Sequence, residues 1–193
     1  MTCSPITTNL SFPEYEPDFS LIMGQVREFN TGSADCGVTG FPELTYLQQV
    51  TDDSQWIDED HMEVRPEDKK FVQYNLHAYV TVQPKRQELS KFGLDEPRDI
   101  LVYPSLPILE DAGLVTQVNA EYANGSFKED IEPTRLAGGN LLFGINPGDR
   151  VWFQHQLYTV LNWYEDRFFG NTSIPLYLVL ACNRYRRNSR DLD

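Results

Sequence analysis

The chain has 193 residues and a mass of 22.3 kDa, enough for one domain that buries roughly 70% of its unfolded surface without help from disulfides or metals. Hydrophobic residues make up 40% and charged residues 23%, which excludes wholesale disorder, and no apolar run approaches the roughly 20 residues of a membrane-spanning helix. A net charge of −13 disfavours binding along a nucleic-acid backbone, because phosphates repel it. Twelve prolines, twelve glycines and 12% aromatics point to many short, punctuated elements and hence to a mainly β chain.

The start, MTCSPITTNLSFPEYEPDF, has neither a basic n-region nor an apolar h-region, so no secretory signal is expected. Phe12, Tyr15, Phe19, Leu21 and Ile22 are too apolar for a free tail. Pro13 and Pro17 argue against a regular helix, so an extended arm is expected, laid across its own domain or a neighbour. Gly32, Gly37 and Gly40 then punctuate a polar loop, and FPELTYLQQV (41–50) reads as a short helix with Pro42 in its first turn. Charge is concentrated here: residues 1–68 hold 14 acids against Arg27 and Arg65, a net of −12, whereas residues 69–193 hold 15 acids and 14 bases.

The clearest pattern is FVQYNLHAYVTVQP (71–84). Val72, Tyr74, Leu76, Ala78, Val80 and Val82 alternate with polar residues, which predicts a half-buried strand ended by Pro84. KRQELSKFG (85–93) reads as a two-turn helix, DILVY (99–103) as a short strand, and LPILEDAG (106–113) as a second short helix closed by Gly113. Pro147-Gly148-Asp149 is a turn. VWF (151–153) and LYTVLNW (157–163) are expected to flank a tip at Gln154–Gln156. Residues 165–167 and Gly170-Asn171 form the next connection, and LYLVLACNRY (176–185), apolar on both parities, is the last strand, covered on both faces. The fold class expected is mainly β, a small barrel or sandwich of about five strands with two or three short helices and extended terminal arms. The organisation expected is an acidic N-terminal arm or insertion (1–68), a β-rich core (69–187) and a tail (188–193).

Chemistry-bearing motifs are sparse. GxSxG, HExxH, P-loop and GxGxxG patterns are all absent, so no catalysis and no cofactor are expected. Asp58, Asp60, His61 and Glu63 are the one plausible hard-cation cluster, yet the glycine and spacing of a calcium loop are missing. A small metal-dependent enzyme built on that cluster is one rival reading. A carbohydrate-binding β-module built on Trp152 or Trp163 is another. Cys3, Cys36 and Cys182 show no zinc spacing and read as free thiols. Gly148-Asp149-Arg150 has two readings: a turn that aims Arg150 at a neighbouring subunit, or a local turn in which glycine permits the bend and Asp149 bonds to backbone. Arg184, Arg186, Arg187 and Arg190 lie within seven residues and suit the acidic face of a neighbour.

The run PGDRVWFQHQLYTVLNWYEDRFFGNTSIPLYLVLACNRYR resembles the neck proteins of tailed bacteriophages. The matching positions are Gly148, Asp149 and Arg150, then Leu157, Tyr158 and Val160, then Gly170, Asn171, Pro175, Leu176 and Tyr177. KFGLDEPRDILVYPSLPILEDAGL upstream is similar as well, so the resemblance covers about residues 71–187. It implies a head-closure (stopper) or adaptor component located in the virion neck, in a homo-oligomeric ring of six or twelve copies. Its partners would be portal or adaptor proteins and tail proteins, with DNA passing through unbound and no membrane involved. The subunit contacts expected from the residues are the apolar set Phe12, Tyr15, Phe19, Leu21 and Ile22, together with Arg150 and the C-terminal arginines.

Overall fold

The computed structural model describes residues 8–12, 14–34, 37–50, 57–58, 63–64, 69–82, 99–117, 136–137 and 140–185. Its centre is a closed antiparallel barrel of six strands. These are β1 (Glu43–Val50), β4 (Lys70–Val82), β5 (Ile100–Pro104), β9 (Arg150–Phe153), β10 (Gln156–Phe168) and β11 (Pro175–Arg184), in the order β1-β4-β5-β11-β10-β9. β1 closes it by pairing with β4 on one side and β9 on the other. A two-stranded sheet of β2 (Ile57–Asp58) and β3 (Glu63–Val64) stands apart, and β6 (Val115–Gln117), β7 (Leu136–Ala137) and β8 (Leu141–Phe143) form a three-stranded sheet. Two helices complete the described residues, α1 (Glu16–Thr31) and α2 (Leu106–Asp111). Neither is long and apolar enough to cross a membrane.

The mainly β expectation holds, with a barrel of six strands rather than about five. The sixth is β1, from residues expected to be a helix. Leu44 and Tyr46 both point into the barrel, and pairing on two sides outweighs the helical start signal of Pro42. The barrel thus takes a strand from the segment expected as an acidic arm. The central strand is as expected, but only its middle is inward: Leu76 and Ala78 are buried, while Val72 and Val82 at the ends are exposed. β10 runs through residues 165–167, expected as a connection, because Glu165 and Asp166 still pair with Leu178 and Tyr177 of β11. A bulge at Leu161 shifts the register between Val160 and Asn162, so Tyr158, Val160 and Trp163 all face inward despite their mixed parity. The tip between β9 and β10 is the two residues Gln154 and His155, both at positive φ, the backbone of a tight hairpin turn.

The expected extended arm is instead helix α1. Pro17 lies in its first turn, where a missing N–H breaks no helical bond, and Glu16 and Asp18 sit at the positive end of the helix dipole. Phe19, Ile22, Met23, Val26 and Asn30 recur at helical spacing and form the face turned to the barrel; Phe19, Met23 and Asn30 are buried. Phe12 and Phe169 pack edge-to-face on Phe19, with ring centroids 4.8 and 5.4 Å away. Arg27 forks onto Asp111 at 2.7 and 2.8 Å and ties α1 to α2. The helix ends where the chain crosses itself: a Cβ on Gly40 would lie 2.4 Å from the Thr31 carbonyl carbon, and one on Gly32 would lie 2.6 Å from the Gly40 nitrogen. Only glycine fits either position, and the crossing lets the Phe41 N–H reach the Asn30 carbonyl at 2.8 Å. α2 follows β5 as expected and is closed by Gly113 at φ 72°. The helix expected at 85–93 lies outside the described residues.

Candidate binding groove

The Gly148–Arg150 turn is a built structure. Asp149 is fully buried and accepts from the Asn146 and Gln49 backbone N–H groups, both at 2.7 Å, and from the Tyr46 hydroxyl. Burial pushes the Asp149 carboxyl above the ordinary carboxylate range against those donors. Burial, then the neighbouring Asp149, push the Tyr46 phenol well up. Gly148 adopts φ 98°, and its N–H donates to the Val160 carbonyl at 2.9 Å. The bend at Gly148 and the bond from Asn146 fit the local reading of these residues; the bonds from Gln49 and Tyr46, which pin β1 to the start of β9, go beyond it. Arg150 lies between the rings of Phe71 and Tyr185, with its guanidinium carbon 4.5 and 4.7 Å from their centroids. It is half-buried against its own chain, with part of its surface still open.

The expected contact residues divide. Phe12 and Phe19 belong to the core of their own chain and Ile22 packs against it, which corrects the expectation that they lie across a neighbour. Tyr15, just ahead of α1 and edge-on to Phe169 at 5.9 Å, and Leu21, on the outer face of α1, remain exposed, with 62% of Leu21 accessible. Arg184 is half-buried at the end of β11, where its N–H donates to Asp99 at 3.2 Å. Arg186, Arg187 and Arg190 lie outside the described residues. So do Asp60 and His61 of the acidic cluster, while Asp58 and Glu63 are backbone partners across the β2–β3 pair. Among the described residues no group of His, Cys, Asp and Glu is placed to hold a metal ion. Cys182 is a buried free thiol raised by burial and so unreactive, and Cys3 and Cys36 lie outside the described residues. Trp163 is buried against Phe143 at 5.4 Å, which removes it from any sugar face, and Trp152 is 45% exposed on β9.

An unforeseen surface emerges on the outside of the barrel. Phe29 from the last turn of α1 meets Phe41 edge-on at 5.2 Å, Phe41 meets Tyr79 of β4 at 5.5 Å, and Tyr79 meets its cross-strand partner Tyr103 of β5 at 5.6 Å. This ladder is one wall of a groove of about 580 Å³; across it stand Tyr177 of β11 and its strand partner Asp166, with Arg167 at the rim. Phe29 and Tyr79 are about half exposed, at 53% and 49%. Among the described residues, neither the Asp166 nor the Arg167 side chain makes a hydrogen bond or ion pair. Behind Tyr177 the polar accounting is incomplete. Fully buried Asn30 donates to the Val26 carbonyl at 2.6 Å and sits 3.5 Å from the Tyr177 hydroxyl, but its amide oxygen has no partner. The hydroxyl of Ser105, the residue bridged to Tyr177 through backbone, has none either. The sequence carried part of this signal: Tyr79 sits on the polar parity of β4, out of phase with the buried residues. The meeting of α1, the connection from α1 to β1, β4, β5, β10 and β11 is a product of topology.

Comparison with known proteins finds no matching family model, no matching curated protein and no matching solved structure.

Proposed function

We propose that the chain is a non-catalytic structural component of a tailed-bacteriophage neck, acting as a homo-oligomeric ring between portal and tail around the DNA passage. The observation that carries this reading is the way the residues of the resemblance assemble. The Gly148–Arg150 turn, the β9–β10 hairpin and the closing strand β11 are contiguous and make half of one closed barrel. The acidic balance supports it, since an acidic wall limits adhesion to passing phosphate. Exposed Tyr15, Leu21, Trp152 and Phe168 supply apolar surface for subunit contacts. The test is native mass measurement with electron microscopy of the purified chain. Rings of six or twelve copies are expected, and a monomer at high concentration overturns the reading.

The tyrosine-rich groove favours one other reading, a carbohydrate-binding module. Its test is glycan binding that is abolished by Tyr79→Ala.

A further inference from the structure

We propose that the aromatic groove receives the C-terminal segment of a second copy of this chain, RRNSRDLD (186–193), with Arg190 set against Asp166 and Asp191 against Arg167. The inference rests on the ring-forming reading and names the contact that would build the ring.

The groove's chemistry selects for arginine. Its long wall is a ladder of aromatic faces, and a guanidinium binds such faces through their quadrupole. The molecule already uses this device once, in the seating of Arg150 between Phe71 and Tyr185. Asp166 supplies a carboxylate for the guanidinium fork, and Arg167 next to it is a cation that repels a purely basic ligand. A ligand that answers both carries a base and an acid side by side, as Arg190-Asp191 does. A guanidinium has N–H donors and no acceptor, so it would donate to the Tyr177 oxygen. That oxygen already faces the Asn30 amide nitrogen at 3.5 Å, itself a donor.

Chain geometry favours a second copy as the source. β11 leads from Tyr177 at the groove to its end at Arg184, about 23 Å along the strand at about 3.3 Å per residue. To reach its own Asp166 the tail would have to reverse at Tyr185 and run back fully extended. In a closed ring the contact is heterologous, one surface of each copy meeting a different surface of the next, and a tail at one end with its receptor toward the other fits that rule.

The test is a charge-exchange cycle on the full chain, read by native mass and sedimentation. Asp166→Arg with Arg167→Asp in the groove is expected to weaken self-association roughly tenfold, and Arg190→Asp with Asp191→Arg in the tail equally; all four together should restore it to within about threefold of wild type. Restoration also shows that the groove variant folds. Tyr79→Ala, at an exposed position, should weaken association without any rescue by the tail exchange. A wild-type chain that is monomeric at every concentration overturns both this proposal and the ring. Association that survives both exchanges unchanged overturns the tail contact alone and leaves the ring standing. Failure of the fourfold variant to recover, with circular dichroism as in wild type, likewise rejects the pairing of tail and groove.

Discussion

Asp149 shows how one side chain can hold two distant parts of a chain together. Its carboxylate collects donors from Asn146, Gln49 and Tyr46, so truncation leaves three donors, the Tyr46 hydroxyl fully buried among them, without that acceptor. Asp149→Ala is expected to destabilise the fold by about 3 kcal/mol and Tyr46→Phe by about 2 kcal/mol, measured by urea unfolding. The pH dependence has a definite sign. The folded pKa of Asp149 is raised, so the folded state holds this proton at pH values where the unfolded chain has released it. The contribution of Asp149 to stability therefore falls as pH rises from about 4 through the raised value, and the stability of wild type relative to Asp149→Asn should decline across that window. Gly148→Val places a β-branched residue at φ 98° and is expected to cost about 1–3 kcal/mol, whereas Arg150→Ala loses only its contacts to two rings and should stay folded with a loss of about 1 kcal/mol. The local role of this turn was legible in the sequence, because glycine and aspartate act through the backbone beside them. Its partner Tyr46 was not, since it lies 103 residues away.

At the scale of elements, α1 and β1 expose the limits of punctuation rules. Proline forbids a helix interior but suits a helix start, and the distinction lay in the residues that follow Pro17, where Phe19, Met23 and Val26 already recur at helical spacing. Pro42 invited the same helical reading for residues 41–50, yet the alternation of Leu44 and Tyr46 was a strand signal, and two paired neighbours decided the matter. β4 and β11 were legible because long alternating or doubly apolar runs admit few other structures. The face of α1 now separates two effects. Phe19→Ala should cost about 3–5 kcal/mol of stability by emptying a fully buried site, while Leu21→Ser should leave unfolding within about 0.5 kcal/mol of wild type. If the outer face of α1 is a subunit contact, Leu21→Ser weakens assembly without touching the thermal midpoint, and scanning calorimetry beside sedimentation distinguishes the two.

For the whole molecule, the charge divides unequally between the parts that make the barrel. Residues 1–68 carry a net of −12, and the described part of this acidic third supplies α1 and β1. Duplex DNA should show no retardation by the chain in a gel at about 0.15 M salt, since a net charge of −13 repels phosphate over a Debye length of about 8 Å. The barrel class followed from composition and alternation. Its closure did not, because sequence patterns report the period of a strand and not its neighbours. Closure sets a timetable as well as a shape. Leu47 of β1 must wait for Arg150 of β9, a partner 103 positions later on the chain. On a ribosome adding about 5–20 residues per second, that is a delay of about 5–20 s in which one side of an early strand has no mate. The β1–β9 seam joins the most distant paired segments of the barrel, and when it becomes possible β11 (Pro175–Arg184), with its own two seams, is still to be made.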